Sequence, residues 1–274
     1  MAEPFKLCIL FGDDPERPPA DISPGWEMAE VPVALQVLPF ESNANWERRR
    51  AEIASYGLPP IKASSHFIQS WGLTPVGPGV DWEQLEFWTR RAFDRLAQIG
   101  VEVVGVYGDF FAVPDGFSRS AAMDQAIRFV NLLADHASRH DMLVALEPTA
   151  NPNTLWPMYL DAVAFAKQTG RAEVRVMADL AYFIRGGQDL QDIAREPDYC
   201  VHCHIAGEGG QPGVGDRRAI HARLFRILRE IGYTRGVSAA CPWVSSTGGK
   251  LNFSLETARA LTYLQRLREE VYNE

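Results

Sequence analysis

The stretch that most constrains the fold is D-M-L-V-A-L-E-P-T, residues 141–149. In an extended chain Leu143, Ala145 and Glu147 share one face, and Val144 and Leu146 share the other. A strand that is apolar on both faces belongs in a parallel sheet covered by helices. Glu147 is the last residue on its face, and Pro148 ends the ladder immediately after it. A carboxylate at the end of a buried strand is costly unless it is paired, metal-bound or used in chemistry.

The same strand-then-helix pattern runs through the chain. Strands are expected at residues 5–11, 31–38, 61–67, 101–108, around 141–149, and at 174–179, 199–205 and 236–241. Asp81 can cap a helix that runs to Ile99, with Leu85, Trp88, Ala92, Leu96 and Ile99 as its apolar stripe and Gly100 as its stop. Ser120 can cap a helix that turns Met123, Ile127, Val130 and Ala134 inward. A further helix spans about 157–169. Asp216 can cap a helix that buries Ile220, Leu224, Ile227 and Ile231, and Ser254 one that runs to about residue 271.

Eight strands, each followed by helix or irregular chain, in 274 residues predict one (β/α)8 barrel forming a single domain over residues 1–274. A doubly wound open sheet is the alternative. It would need a glycine-rich phosphate loop, and neither G-x-G-x-x-G nor G-x-x-x-x-G-K-[ST] occurs. In a barrel, chemistry gathers at the C-terminal strand ends. Glu147, Asp179 and His204 fall there, and the eighth strand brings Ala240 to the corresponding place.

Composition narrows the class. The formal net charge of −8 argues against nucleic acid or an anionic membrane as partner, because both require clustered Lys and Arg. No basic segment followed by an apolar run opens the chain, so no signal peptide is expected. No apolar run approaches the roughly 18 residues of a membrane helix. Cys8, Cys200, Cys203 and Cys241 sit in or beside expected buried strands, which suggests free thiols and a cytoplasmic location. Cys200-x-x-Cys203 on a regular strand would point to opposite faces, so two buried thiols are expected rather than a zinc or redox pair.

Several segments, taken in order, resemble the xylose isomerase-like TIM barrels, the sugar isomerases and epimerases. They are P-V-G-P at 75–78, V-P-D-G-F at 113–117, L-E-P at 146–148, A-D-L at 178–180, H-C-H-I-A at 202–206, P-G-V-G-D at 212–216, I-G-Y at 231–233 and V-S-A-A-C-P-W from Val237. The resemblance implies a divalent metal, Mn, Mg or Zn, with Glu147, Asp179 and His204 as its first three ligands. Two carboxylates and an imidazole suit such an ion. It would polarise a carbonyl and the neighbouring hydroxyl of a small sugar, polyol or ketose. The resemblance also implies dimers or tetramers.

The departures from the family pattern bear on the chemistry. The fourth ligand, normally a Glu that also serves as a base, is Ala240. The family's D-L-Y-H reads Asp179-Leu180-Ala181-Tyr182, and its H-I-A-D ends in Gly207. An Arg usual before V-P-D-G is missing, with Phe110 and Phe111 nearby. Loss of the second Glu disfavours two-base epimerisation and leaves one-base isomerisation, dehydration or lyase chemistry. Glu147 would be the base, and Tyr182 or His66 the acid. Asp109, His202, Trp243 and Arg217 are candidate substrate contacts. Trp71, Trp156 and Trp243 flank strand exits and suit either sugar faces or core packing. The alternative function is a metal-poor barrel that binds a sugar-like ligand without isomerising it. Asp109, His202, Glu208 and Cys241 are the residues near enough in sequence pattern to replace the missing ligand.

Overall fold

A computed structural model describes residues 3–14, 17–68 and 72–274; Trp71 lies outside them. Eight parallel strands close in sequence order: β1 (Lys6–Leu10), β2 (Met28–Pro32), β3 (Ile61–Ser65), β4 (Val103–Tyr107), β5 (Leu143–Glu147), β6 (Val174–Asp179), β7 (Cys200–Ile205) and β8 (Gly236–Ala239), which returns to β1. The helices are α1 (Asn43–Ser55), α2 (Trp82–Gln98), α3 (Arg119–Ser138), α4 (Tyr159–Thr169), α5 (Leu180–Gly186), α6 (Gln191–Arg195), α7 (Arg218–Glu230) and α8 (Phe253–Asn273). This is the (β/α)8 barrel that the alternation predicts.

Each strand divides its residues as a barrel requires. On β5, Val144 and Leu146 join the large apolar layer between strands and helices. Leu143 and Ala145 pack instead with Val103, Met177 and Val201, filling the barrel interior. Asp81 caps α2 by accepting from the Gln84 amide. Leu85, Ala92 and Leu96 are buried as expected, while Trp88 is only half-buried.

Three helix starts differ from expectation. Ser118, not Ser120, caps α3; Val130 and Ala134 are buried as expected, together with Ala122, Ala126, Phe129 and Leu133, while Met123 and Ile127 are left at the margin. Asn252, not Ser254, caps α8. Arg217 stands at the start of α7, where no side chain caps the helix.

The second strand is the larger correction. The apolar run at 31–38 suits a strand in composition, but Pro32 has no N–H to give to a ladder. The strand therefore lies earlier, at Met28–Pro32, and Val33–Val37 form a wide π-helical turn ending at Leu38 in the left-handed region (φ 50°). The buried Arg95 guanidinium ties this turn down, donating to the carbonyls of Val37 and Leu38 and to those of Glu41 and Ser42. The earlier strand carries Glu30 into the barrel.

Register irregularities finish the interior. β7 slips against β6 between Val176 and Met177, so that Val176 pairs with Cys200 but Met177 with His202. The extra residue is a β-bulge. It turns both Cys200 and Cys203 outward, with their sulfurs 3.7 Å apart, whereas a regular strand would have placed them on opposite faces. All four cysteines are free thiols.

Candidate metal centre

Glu147, Asp179 and His204 converge at the C-terminal ends of β5, β6 and β7. One donor atom from each lies within 4.8 Å of the other two. His204 Nδ1 is 3.5 Å from Glu147 Oε1 and 3.4 Å from Asp179 Oδ2. The two carboxylates are engaged differently. Asp179 Oδ1 caps α5, accepting from the Ala181 and Tyr182 amides at 2.7 and 3.3 Å, which leaves Oδ2 for the centre. Glu147 has no such duty. Its Oε2 is buried and has no hydrogen-bond partner. A carboxylate oxygen rarely stays buried and unpartnered without a ligand in prospect. The donor set, two carboxylates and an imidazole, fits a hard or borderline divalent ion such as Mg²⁺, Mn²⁺ or Zn²⁺.

A third carboxylate lies behind His204. Glu30, wholly buried on β2, accepts from His202 Nε2 at 2.9 Å and from His204 Nε2 at 3.0 Å. Burial disfavours the Glu30 charge, but the two imidazoles facing it prevail and hold its carboxyl well below the usual range. Burial likewise disfavours a charged His204, yet Glu30, Asp179 and Glu147 raise its pKa well above that of an ordinary histidine. Three carboxylates thus enclose one imidazole, an arrangement whose negative charge calls for a cation. Glu30 was not among the residues singled out from sequence, because the second strand was expected to begin one residue after it. The signal that would have found it is Pro32, which marks a strand end rather than a strand interior.

The other expected site residues divide into groups. Tyr182 lies beside the centre and donates its hydroxyl to Tyr107 at 3.1 Å. Tyr107 pairs across the β4–β5 ladder with Glu147. Burial and the Glu147 carboxylate push both phenols up, so both stay protonated donors. His66 follows β3 in the left-handed region (φ 55°), with its ring 6.0 Å from that of Tyr107. Phe110 packs on Tyr107 from another side at 5.9 Å, giving this part of the rim an aromatic wall.

Asp109 is tied to its loops, accepting from Thr149 Oγ1 at 2.6 Å and Asn151 Nδ2 at 3.0 Å. His202 is buried on Glu30. Trp243 is buried edge-on against Phe253, and Trp156 packs in the core at tilted angles to Phe111 and Phe165. Neither presents an open face. Arg217 donates to the Ala206 carbonyl at 3.4 Å, and Glu208 accepts from the Asp216 amide at 3.4 Å. At the end of β8, Ala240 is half-buried. Among the described residues no fourth His, Cys, Asp or Glu joins Glu147, Asp179 and His204, so Asp109, His202, Glu208 and Cys241 do not fill the place of the missing ligand.

The sequence matches the model of the xylose isomerase-like TIM barrel family over residues 24–267, and the chain belongs to that family. No curated protein matches it. Among solved structures it is similar to a D-psicose 3-epimerase crystallised with D-fructose (16% identity, 96% of this chain and 99% of that one, TM-score 0.75). It is also similar to the 3-keto-D-glucoside 4-epimerase YcjR from E. coli (18% identity, 97% and 99% covered, TM-score 0.72). A third is a family 2 AP endonuclease from Brucella melitensis (19% identity, 96% and 99% covered, TM-score 0.70). At these identities the likeness concerns the fold. No helix among the described residues is long and apolar enough to cross a membrane.

Proposed function

We propose that the protein is a metal-assisted enzyme of one-base carbonyl chemistry, an isomerase or lyase acting on a small sugar, polyol or ketose. The observation that carries this is the buried, unpartnered Oε2 of Glu147 beside the Asp179–His204 pair. Glu147, Asp179 and His204 would hold a divalent ion, which when bound polarises a carbonyl and its neighbouring hydroxyl. Glu147 is the base for the carbon-bound proton next to that carbonyl. Tyr182, kept protonated, turns its one hydroxyl hydrogen from Tyr107 to the substrate oxygen on which charge develops. His66 and Phe110 border the same space through their ring contacts with Tyr107.

A base on one side only returns the proton to the face it came from. That supports migration of a proton between neighbouring carbons, or elimination, over inversion at a single carbon. The absence of a fourth ligand at Ala240 favours a second reading, a barrel that binds a sugar-like molecule without turning it over. Metal analysis of protein purified without chelator separates the two. About one divalent ion per chain, with a lower melting temperature in EDTA, supports the enzyme. Saturation with Mn²⁺ at 100 times Kd would add about 2.7 kcal/mol of stability. A chain free of metal, with a melting curve that Mn²⁺ does not move, supports the binding protein.

A further inference from the structure

We infer that Glu30 is a positioning residue for the centre: it fixes which nitrogen of His204 faces the ion, and His202 in turn fixes Glu30. The inference rests on the metal reading for its consequence, but on hydrogen bonds for its substance. Glu30 lies on β2 and His204 on β7, and they meet across the barrel interior at 3.0 and 3.2 Å through His204 Nε2. Each oxygen of Glu30 faces an imidazole Nε2, and with the carboxylate as acceptor both Nε2 atoms carry the hydrogen. That leaves His204 Nδ1 as the atom turned to Glu147 Oε1 and Asp179 Oδ2. A half-turn of the ring about its Cβ–Cγ bond would exchange Nδ1 for Cδ2, so a carbon would face the two carboxylates and no lone pair would face the ion.

His202 makes the arrangement rigid. Its Nε2 donates to Glu30 Oε2 at 2.9 Å, while Oε1 receives His204, so each carboxylate oxygen has its own imidazole. The two rings stand at 83° with centroids 5.3 Å apart, a geometry in which neither turns without displacing Glu30. The bulge in β7 makes this possible, because it shifts the register just ahead of His202. A carboxylate behind a metal-binding histidine orients the ring and raises its basicity, and its loss weakens metal binding by roughly 10–100-fold.

The test uses the full chain as wild type, Glu30→Gln and Glu30→Ala, with His202→Phe as a milder perturbation. Folding of each is checked by circular dichroism, and Glu30→Gln preserves the shape of the side chain should Glu30→Ala not fold. The first readout is Mn²⁺ affinity, from the electron paramagnetic resonance of free Mn²⁺. The second is the His204 Nε2–H signal in 15N-resolved NMR of the metal-free protein. The inference expects a slowly exchanging, downfield Nε2–H in the wild type that is lost in the Glu30 variants, together with Mn²⁺ binding weakened by roughly 10–100-fold. For His202→Phe it expects a smaller loss of affinity, with the His204 signal kept but broadened. Folded Glu30 variants that retain both the Nε2–H signal and wild-type Mn²⁺ affinity would overturn it. A wild type that binds no Mn²⁺ would end the metal reading, and the Nε2–H signal would still decide whether Glu30 orients His204.

Discussion

The rim of the barrel has two unlike halves. From β5 to β7 each strand delivers a polar side chain to the centre: Glu147, Asp179 and His204. From β8 round to β1 the strands deliver Ser238, Ala240, Cys8 and Leu10, none of which joins that group. Neighbouring strands are laddered in parallel in both halves, with a bulge between β6 and β7 in the polar one. The fold therefore offers strand ends all round, and residue identity together with local register decides which of them carry chemistry. The charge is also one-sided. Among the described residues Glu30 is the one further acidic group that joins a cluster with His204, and it reaches the centre through that histidine.

The sharpest way to break this comparison is to disable the charged half. In Glu147→Gln the base is lost, and turnover of any substrate identified is expected to fall by roughly 10²–10⁴-fold. Steady-state kinetics would check this, and unchanged turnover would remove Glu147 from the mechanism. The next largest effect comes from making the two halves alike. Ala240→Glu places a carboxylate at the open side, and Mn²⁺ binding is expected to tighten about tenfold, or roughly 1.4 kcal/mol. Isothermal titration would measure it; an unchanged affinity would mean that the end of β8 does not face the ion.

Tyr182→Phe removes one donor from the aromatic side and leaves the fold in place. The hydrogen bond to Tyr107 contributes about 1 kcal/mol to stability, so melting should move little. The loss should appear in kcat rather than KM, because the donor acts as charge develops on the substrate.

The last comparison concerns how the uncharged half is held. Buried Glu256 on α8 accepts from the Ser246 amide at 3.0 Å, from the Ser246 hydroxyl at 2.7 Å and from Gln211 Nε2 at 2.8 Å, linking the loops after β7 and β8. Burial opposes its charge, but the Ser246 bonds and nearby Arg259 outweigh that and lower its pKa from 4.5. A carboxyl with a lowered folded-state pKa adds stability above about pH 4.5, and this is lost as pH falls through the lowered value. Glu256→Gln should therefore cost about 1–3 kcal/mol near neutral pH, with the gap to wild type closing in acid. Denaturant melts across pH would follow it.

Much of the centre could be read before any coordinates. Glu147, Asp179 and His204 each end a short apolar strand, and a polar residue in that position is a local, visible anomaly. Glu30 was missed because composition pointed to the apolar run at 31–38, while the proline inside that run in fact closes the strand. The cysteine pair was misplaced because a bulge cannot be read from alternation alone. For Trp243 the sequence leaves a sugar face and core packing both open, and its place in the core depends on α8 packing over it through Phe253.

By itself, then, the sequence determined the eightfold alternation of strand and helix and the polarity of three strand ends. Both depend on periodicity over a few residues, which neighbouring side chains set directly. Only the tertiary structure decided that Glu30 and His204, 174 positions apart, share a hydrogen bond. Closure of the sheet brings β2 and β7 together across the interior, and the bulge in β7 sets which of its side chains turn inward. Those depend on register between strands far apart in the chain, which no local pattern encodes.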